Sequence, residues 1–543
     1  MDDSRKPPIT IGDLPPEVML HVFDFLAGAT SSEERLHEQP SATLLDGEPG
    51  SRNLKRASLV SRAWRSLTLP LLFRHVLWRP RVTSLSAFTL NPIPLLRFLE
   101  ENGLVADRHH HHRSGVETLT LVVDFVEDGW GAGDDAHPHA HRQGRTGAGP
   151  RIRSVDLEWL WDQLFSVVDP LRFTVMAPPT TLAALLSRTL FLDDAWAFDM
   201  PYHILSLSRI RGGEELLSKH QKMEWPLSDY RLSSTGAAAK SDGGEASSSR
   251  GEAAGPSRSS TSSRRPSRWK KQAPPSPLFT IRPWTALLLN EGSSTRAYKT
   301  SEFFFRRPPS LLGALLGCEE GPHNDGNAPP PLIPQTVRDL SYVAVFPLSS
   351  HVEATLAPHL PPHVERLFVR LTPTPKSRLF LEDNGVDPAD LWLERNAAYQ
   401  SLIREFVAAF SPPTPSSLSS PPSPGAGGEV ERHNNWANLR VFETGDAAAD
   451  GKAWDMSCRL LGRSGVRGWK VEREGLLVRY DDGDENLLSV WLIPCLSSSP
   501  PASHLQCHGL RMIAQNTSSV RTSSTSMSIL GLVAAGEASG RRS

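Results

Sequence analysis

The stretch LPPEVMLHVFDFL, residues 14–26, decides how the N-terminal part of this chain folds. Its proline pair favours an extended approach and then places a proline in the first helical turn, where a missing N–H costs nothing. Glu17 follows at the end of the helix where the dipole favours an acid. Behind it, apolar residues recur at helical spacing: Val18, Val22, and Phe25 or Leu26. The pattern predicts one short helix that is apolar over most of its circumference and ends near Gly28.

Helical periodicity resumes in LKRASLVSRAWRSLTLPLLFRHV, residues 54–76, after a polar stretch at residues 29–53. One predicted face of this second helix is apolar and consists of Leu59, Val60, Ala63, Trp64 and Leu67. Pro70 then opens a further turn that carries Leu71, Leu72 and Phe73. We therefore expect three short helices that pack on one another and leave an apolar face for a partner.

Taken together, the two stretches resemble the F-box, in the form common among fungal F-box proteins. The matching positions are Leu14, Pro15, Glu17, Leu59, Val60, Trp64, Leu72 and Phe73. The resemblance implies a three-helix module, here residues 11–78, that docks on the Skp-type adaptor of a Skp–cullin–F-box ubiquitin ligase. Residues 29–53 form an insertion that is much longer than the family's usual connection. A looped-out insertion would be tolerated, because the entropy cost of loop closure grows slowly with length, whereas an ordered one would put docking at risk.

By the same resemblance, the residues that would contact the Skp-type adaptor are Leu14, Pro15, Val18, Val22, Leu26, Leu59, Val60, Trp64, Leu72 and Phe73. The stronger candidates for contact are Leu14, Pro15, Val18 and Phe73. Two others, Leu59 and Trp64, are expected in the core of the module. The alternative is that the whole set forms an internal core without a partner. A segment of this size would struggle to bury all of these side chains alone, which favours a partner.

Beyond residue 80, short apolar phrases alternate with helical patterns. Each phrase consists of an apolar residue, two variable residues and then apolar–x–apolar, a pattern that predicts a short strand with one buried face. The phrases lie at residues 116–121, 152–157, 337–342, 364–369 and 436–441. Helical patterns occupy residues 157–168, 181–192, 309–316 and 390–410. This alternation predicts an α+β or α/β region with parallel strands, in three parts at residues 81–232, 276–410 and 434–496.

The predicted α/β region resembles a degenerate leucine-rich-repeat-like solenoid, such as often follows a fungal F-box. Leucine-rich repeats have a period of ~20–29 residues and an Asn or Cys after the strand. Here the phrases are irregularly spaced and that Asn is missing. An irregular α/β domain without repeats is therefore the open alternative.

Composition predicts that long segments of the chain are disordered. The apolar fraction is 39%, below the ~45–50% usual for globular chains, and the chain has 46 prolines. Four segments cannot bury enough apolar surface to offset their ordering entropy: the His/Gly loop 109–150, the Ser-rich and basic residues 233–275, the Pro/Ser linker 411–433 and the tail 497–543. The second of these contains a basic cluster: Arg264, Arg265, Arg268, Lys270 and Lys271. The cluster is typical of a nuclear localisation signal or an RNA contact, or of a plain basic linker.

Other classes of function find little support in the sequence. The chain has 58 Lys and Arg against 60 Asp and Glu, so nothing global attracts nucleic acid or membranes. We find no catalytic or cofactor motif, and the seven histidines within residues 109–150 lack the spacing of metal ligands. We therefore expect no catalysis, no cofactor and no metal site.

The resemblance to the F-box, together with the absence of catalytic motifs, implies a non-catalytic substrate adaptor of a ubiquitin ligase, which we expect in the cytoplasm, the nucleus or both. Its partners would be a Skp-type adaptor, through it a cullin scaffold, and an unidentified protein substrate; nucleic acid is not expected. The alternative is a nuclear scaffold or RNA-associated protein that uses the basic cluster at residues 264–271.

Overall fold

Three helices open the structure, which is a computed structural model of the chain. They are α1 (Pro16–Ala27), α2 (Pro49–Ala57) and α3 (Arg62–Leu72), preceded by a 3₁₀ turn at Ile11–Asp13. The structure describes residues 11–28, 34–41, 43–45, 49–80, 90–105, 115–123, 152–188, 198, 202–210, 276–299, 310–318, 331–374, 386–412 and 434–480. All of these residues belong to one unit that runs from Met1 to Leu488.

The single helix predicted across residues 54–67 is wrong, because the structure has two helices there. Helix α2 already begins at Pro49, inside the predicted insertion, and ends at Ala57, and α3 starts only at Arg62. Ser61 causes the break: its backbone is extended, and its Oγ accepts a hydrogen bond from the backbone N–H of Trp64 at 3.1 Å. A serine in this position caps a new helix.

A small apolar core holds the three helices together. Met19 and Phe23 of α1 and Leu54 and Ala57 of α2 are buried in it. Half-buried apolar side chains surround this core: Leu14, Ala27, Trp64, Leu67, Leu71 and Leu72. The rings of Phe23 and Trp64 meet edge to face with 5.1 Å between centroids, an arrangement that aromatic pairs prefer.

A ten-stranded mixed sheet follows the helices, in the order β1-β2-β3-β4-β5-β6-β7-β8-β10-β9. Its strands are β1 (His75–Trp78), β2 (Thr118–Val122), β3 (Arg172–Ala177), β4 (His203–Ser208), β5 (Ala286–Ser293), β6 (Asp339–Val345), β7 (Arg366–Arg370), β8 (Val441–Thr444), β9 (Trp469–Arg473) and β10 (Leu476–Arg479). Pairing is parallel from β1 to β3 and from β5 to β8. It is antiparallel on both sides of β4 and among β8, β10 and β9. The predicted α/β region is thus present as a mixed sheet, and a leucine-rich-repeat-like character is not confirmed.

One row of buried apolar side chains crosses nine strands in register: Val76, Leu119, Phe173, Leu207, Leu287, Leu340, Leu367, Phe442 and Leu477. Helices cover this face of the sheet. The Trp161 ring lies 5.6 Å from that of Phe173, and the Phe406 ring lies 5.6 Å from that of Phe442. The hydrophobic core of the sheet region therefore lies between this row and the helices that cover it.

The remaining helices connect the strands. They are α4 (Ile93–Glu101), α5 (Ser154–Val167), α6 (Pro179–Leu185), α7 (Leu311–Leu316), α8 (Ser349–Ala354), α9 (Leu356–His359), α10 (Pro388–Phe410) and α11 (Gly451–Arg463), with 3₁₀ turns at Pro277–Phe279 and Thr295–Lys299. No helix within the described residues combines the length and the apolar character that crossing a membrane requires.

Most of the predicted elements are confirmed. Helices α5 and α10 match the patterns at residues 157–168 and 390–410, and β2, β6 and β7 match the phrases at 116–121, 337–342 and 364–369. Helix α7 matches residues 309–316, whereas α6 ends at Leu185, well short of the predicted residue 192.

Two strand predictions are wrong. The strand predicted at residues 152–157 is the start of α5, since the apolar residues from Leu157 onward keep helical spacing and Arg153 pairs with Asp156 across the first turn at 2.7 Å. The strand predicted at 436–441 comes later, as β8, where Phe442 joins the buried row. In both places an apolar residue lies at the predicted spacing by coincidence.

The predicted disordered segments fall largely outside the described residues. This applies to residues 233–275, to 413–433 and to the tail 497–543. Within the predicted loop 109–150, the structure corrects the prediction, because β2 lies there as a fully buried strand; residues 109–114 and 124–150 are outside the described part.

Candidate partner-binding surface

Exposed apolar side chains are concentrated in the three-helix module. In the described part of the chain, sixteen large apolar side chains are exposed, and eight of them lie between Ile11 and Val60. Clustered apolar exposure of this kind marks interaction sites on soluble proteins. The module is therefore the strongest candidate for partner binding.

Along α1, four of the five exposed apolar residues occupy one side of the helix, namely Val18, Val22, Phe25 and Leu26, whereas Leu20 lies on the opposite side. At 3.6 residues per turn these four fall within a sector of about 100°, beside the buried Met19 and Phe23. Phe25, with 87% of its surface exposed, is missing from the predicted contact set. Its spacing of seven residues from Val18 was the signal that could have included it.

A second exposed apolar group lies in the turn between α2 and α3. Leu59 is 79% exposed and Val60 is 63% exposed. The expectation that Leu59 is a core residue is therefore wrong. Because α2 ends at Ala57 and Ser61 caps the start of α3, Leu59 and Val60 lie in a turn instead of on the buried face of a helix. We call Val18, Val22, Phe25, Leu26, Leu59 and Val60 the docking surface.

Other predicted contact residues face the inside of the module. Leu14 and Leu72 pack on its core, and Trp64 contacts Phe23 there, as expected for Trp64. Pro15 is exposed next to the start of α1. Of the predicted set, the structure thus brings Val18, Val22, Leu26, Leu59 and Val60 to the surface together with Pro15.

Phe73 and Arg74 join the module to the sheet. The Phe73 ring lies 5.0 Å from that of Phe98 on α4, so Phe73 already has a neighbour within the chain. The Arg74 guanidinium pairs with Asp24 of α1 at 2.6 Å and lies 3.8 Å from Glu117, next to β2. The last helix of the module continues directly into β1, so the docking surface belongs to a module that is attached firmly to the sheet.

A cluster of buried ionisable side chains surrounds Glu291 of β5, and the sequence did not predict it. Glu291 accepts hydrogen bonds from Tyr342 Oη at 2.9 Å, from Ser310 Oγ at 2.7 Å and from the backbone N–H of Leu312. His351 Nε2 lies 3.8 Å from Glu291 Oε2. Burial acts to raise the pKa of Glu291, but His351, His203 and Ser310 outweigh it and lower that pKa to about 2.

This cluster is built for stability and not for chemistry on a substrate. Glu291, Tyr342 and His351 are buried, as are Ser310 and His203, so a substrate has no access to them. Burial also lowers the pKa of His203 to about 4, which keeps its imidazole neutral near pH 7. A buried carboxylate needs the hydrogen bonds that surround it here.

An apolar cleft of about 360 Å³ lies between the start of α4 and α5. Ile93, Leu157 and Leu160 line it, and Trp159 stands at its edge with part of its ring exposed. Its polar lining is limited to Asn91 and Asp156, and the latter is already bound by Arg153. The cleft therefore lacks the converging polar groups of an active site.

The basic cluster predicted for nuclear localisation, Arg264, Arg265, Arg268, Lys270 and Lys271, lies outside the described residues. Its role remains a prediction.

Comparison with known proteins agrees with the geometry of the module. A family model described as F-box-like matches residues 11–79, which include the three helices and the docking surface. Domains of this family generally bind a Skp-type adaptor, which links them to a cullin, and proteins that carry them are typically non-catalytic. Searches of curated proteins and of solved structures gave no match.

Proposed function

We propose that this chain, whose residues 11–79 match a family model described as F-box-like, is a non-catalytic substrate adaptor of a Skp–cullin–F-box ubiquitin ligase. The docking surface would bind the Skp-type adaptor, and the sheet region would bind a protein substrate. Catalysis by such an adaptor consists of proximity, because it raises the effective concentration of a substrate lysine near the ubiquitin-loaded enzyme.

The observation that carries the proposal is the exposure of the docking surface in a module whose core is already filled. Met19, Phe23 and Leu54 are buried without help from Phe25, Leu59 or Val60. Full burial of a large apolar side chain contributes about 1.5–3 kcal/mol. A partner that covers several of these side chains would therefore gain free energy of burial, which offsets the cost of association.

Binding of the recombinant Skp-type adaptor to the full chain tests the first half of the proposal. We expect the double variants Val18→Ser/Val22→Ser and Leu59→Ser/Val60→Ser each to raise Kd at least tenfold. Thermal unfolding should stay unchanged, because these side chains are exposed in the free chain. Leu393→Ser on α10 is the matched control, since Leu393 is 67% exposed outside the module. Unchanged affinity in both double variants would overturn the docking assignment.

The second half of the proposal requires a substrate. Proteins that co-precipitate with the chain more strongly when the proteasome is inhibited are the expected substrates. A reconstituted ligase should modify such a protein with the intact chain and lose this activity with the Leu59→Ser/Val60→Ser variant. Modification that continues without the Skp-type adaptor would contradict an adaptor role.

A further inference from the structure

Part of the insertion between α1 and α2 lies on the sheet. We call residues 34–41 and 43–45 the strap. Its leucines Leu36, Leu44 and Leu45 pack on Val122 of β2, Met176 of β3 and Ile204 of β4, and all six side chains are buried. The sequence predicted this stretch only as a polar insertion, so its role depends on the tertiary structure.

The strap contacts a row of residues that are paired across neighbouring strands of the sheet. Val122, Met176, Ile204 and Asn290 are partners in successive strand pairs from β2 to β5. Since successive side chains of a strand point to opposite faces, this row lies on the face opposite to the row that contains Leu119 and Phe173. The helices cover one face of the sheet, and the strap covers part of the other.

Asn290 holds the backbone of the strap. Its Nδ2 donates hydrogen bonds to the carbonyl oxygens of Leu36 at 2.8 Å and Glu38 at 2.7 Å. Its Oδ1 accepts a hydrogen bond from the backbone N–H of Gly292 at 2.9 Å, which fixes the orientation of the amide. Asn290 is fully buried. A buried amide with three partners makes the contact directional as well as apolar.

The contact extends to β7 through His37. Its ring lies 4.8 Å from that of Phe368. The strap also stabilises itself, because Arg35 donates to the carbonyl oxygen of Leu44 at 2.7 Å and pairs with Glu38 at 2.8 Å. The two parts of the strap, residues 34–41 and 43–45, are thus bonded to each other as well as to the sheet.

We infer that the strap fixes the F-box-like module in one position relative to the sheet. The module is attached to the sheet at the passage from α3 into β1, where Phe73 contacts Phe98 and Arg74 lies 3.8 Å from Glu117. The strap is a second attachment, at β2 to β5. Attachment at the α3–β1 passage alone would leave rotation about that passage, and the strap prevents this rotation. If the adaptor function proposed above holds, the strap sets the position at which a substrate on the sheet meets the ligase; the fixed geometry itself does not depend on that function.

A distance measurement in the free full-length chain tests the inference. Spin labels would be introduced through noncanonical amino acids at the exposed positions Lys55 on α2 and Glu353 on α8. We expect one narrow distance distribution for the intact chain. Replacement of residues 34–45 by a Gly/Ser linker of equal length should broaden the distribution at least twofold. A distribution that stays narrow with an unchanged mean would overturn the inference.

A milder variant and a matched control separate release of the strap from loss of the fold. In Asn290→Ala, amides of residues 34–45 should exchange hydrogen at least tenfold faster, while those of β6 and β7 keep their rates. The control replaces three exposed apolar side chains, as Leu393→Ser/Met456→Ser/Leu460→Ser, and should leave both readouts unchanged. Strap amides that already exchange at the rate of an unfolded peptide in the intact chain would also overturn the inference. None of these readouts requires the Skp-type adaptor, so a failed docking assignment would be recognised separately.

Discussion

Gly50, near the start of α2, lies directly against the carbonyl oxygen of Ala27, the last residue of α1. A Cβ at residue 50 would overlap this oxygen and the carbonyl carbon behind it. The two ends of the insertion that contains the strap therefore meet, and α1 packs on α2 as if the insertion were absent. This contact is the physical reason why a long insertion is compatible with a three-helix module.

Gly50→Ala should destabilise the module, because the obstacle is backbone and cannot rotate away. Overpacking of this kind costs about 1–3 kcal/mol, and the denaturation midpoint of the full chain should fall accordingly. Gly462→Ala is the control: Gly462 lies in α11 with open space around it, and alanine in a helix interior is favoured over glycine by roughly 0.5–1 kcal/mol. Equal midpoints for both variants would show that the contact at Gly50 is not tight.

Replacement of Trp64 should lower the stability of the chain and replacement of Leu59 should not, although the sequence predicted both residues in the core. Trp64→Ala removes the ring that meets Phe23 and should lower the free energy of unfolding by about 2–4 kcal/mol. Leu59→Ala changes an exposed side chain and should stay within about 0.5 kcal/mol. Urea denaturation followed by circular dichroism measures both, and a large loss in Leu59→Ala would mean that its exposure is wrong.

Arg395 on α10 forms a buried ion pair that should be essential for the C-terminal half of the sheet. Its guanidinium lies 3.0 Å from Asp446 and 3.0 Å from Asp450, and both Arg395 and Asp446 are buried. Asp446 also accepts hydrogen bonds from the backbone N–H groups of Leu371 and Thr372. The pair therefore joins α10 to the ends of β7 and β8.

Arg395→Met should lower the free energy of unfolding by about 3–5 kcal/mol, because it leaves a buried carboxylate without its counter-ion. Arg404→Met is the matched control on the same helix, since Arg404 is exposed. The double variant Arg395→Met/Asp446→Asn should recover part of the loss, since both charges are gone. Denaturation midpoints at one pH measure all three variants, and an unaffected Arg395→Met would disprove the role of the pair.

Stability should decrease in mild acid. Burial lowers the pKa of His203 to about 4, and burial together with Arg370 and Arg172 lowers that of His37 to about 4, against a weaker opposite effect of Glu443. The unfolded chain takes up protons near pH 6.5, so stability is greatest above that pH and is lost as the pH falls from about 6.5 toward 4. The slope is at most about 1.4 kcal/mol per pH unit for each histidine.

Urea midpoints at pH 7.5, 6.0 and 5.0 measure this dependence. His203→Leu should reduce the slope because it removes one titrating group. His37→Gln should make hydrogen exchange of the strap amides less dependent on pH, because it removes the titrating group of the strap. A midpoint that does not change between pH 7.5 and 5.0 would contradict the burial of both imidazoles.

Local patterns predicted the parts of this protein in which neighbouring residues in the chain determine the structure. Proline, acid and apolar spacing in residues 14–26 predicted α1, and periodic residues predicted α10. Leu119, Leu340 and Leu367 were recognised because each lies in a strand with one fully buried face. The predictions failed where two periodicities overlap, as at Val155, and where a single capping residue, Ser61, ends a pattern.

The sequence by itself determined that the N-terminal residues form an apolar three-helix module that resembles the F-box, and a family model described as F-box-like matches residues 11–79. Only the tertiary structure decided which apolar residues face outward, because that depends on the break at Ser61 and on the packing of Phe23 against Trp64. Only the tertiary structure assigned the insertion to the sheet, since Leu36 and Asn290 are far apart in the chain. Their contact depends on the register of β2 to β5, which no local pattern encodes.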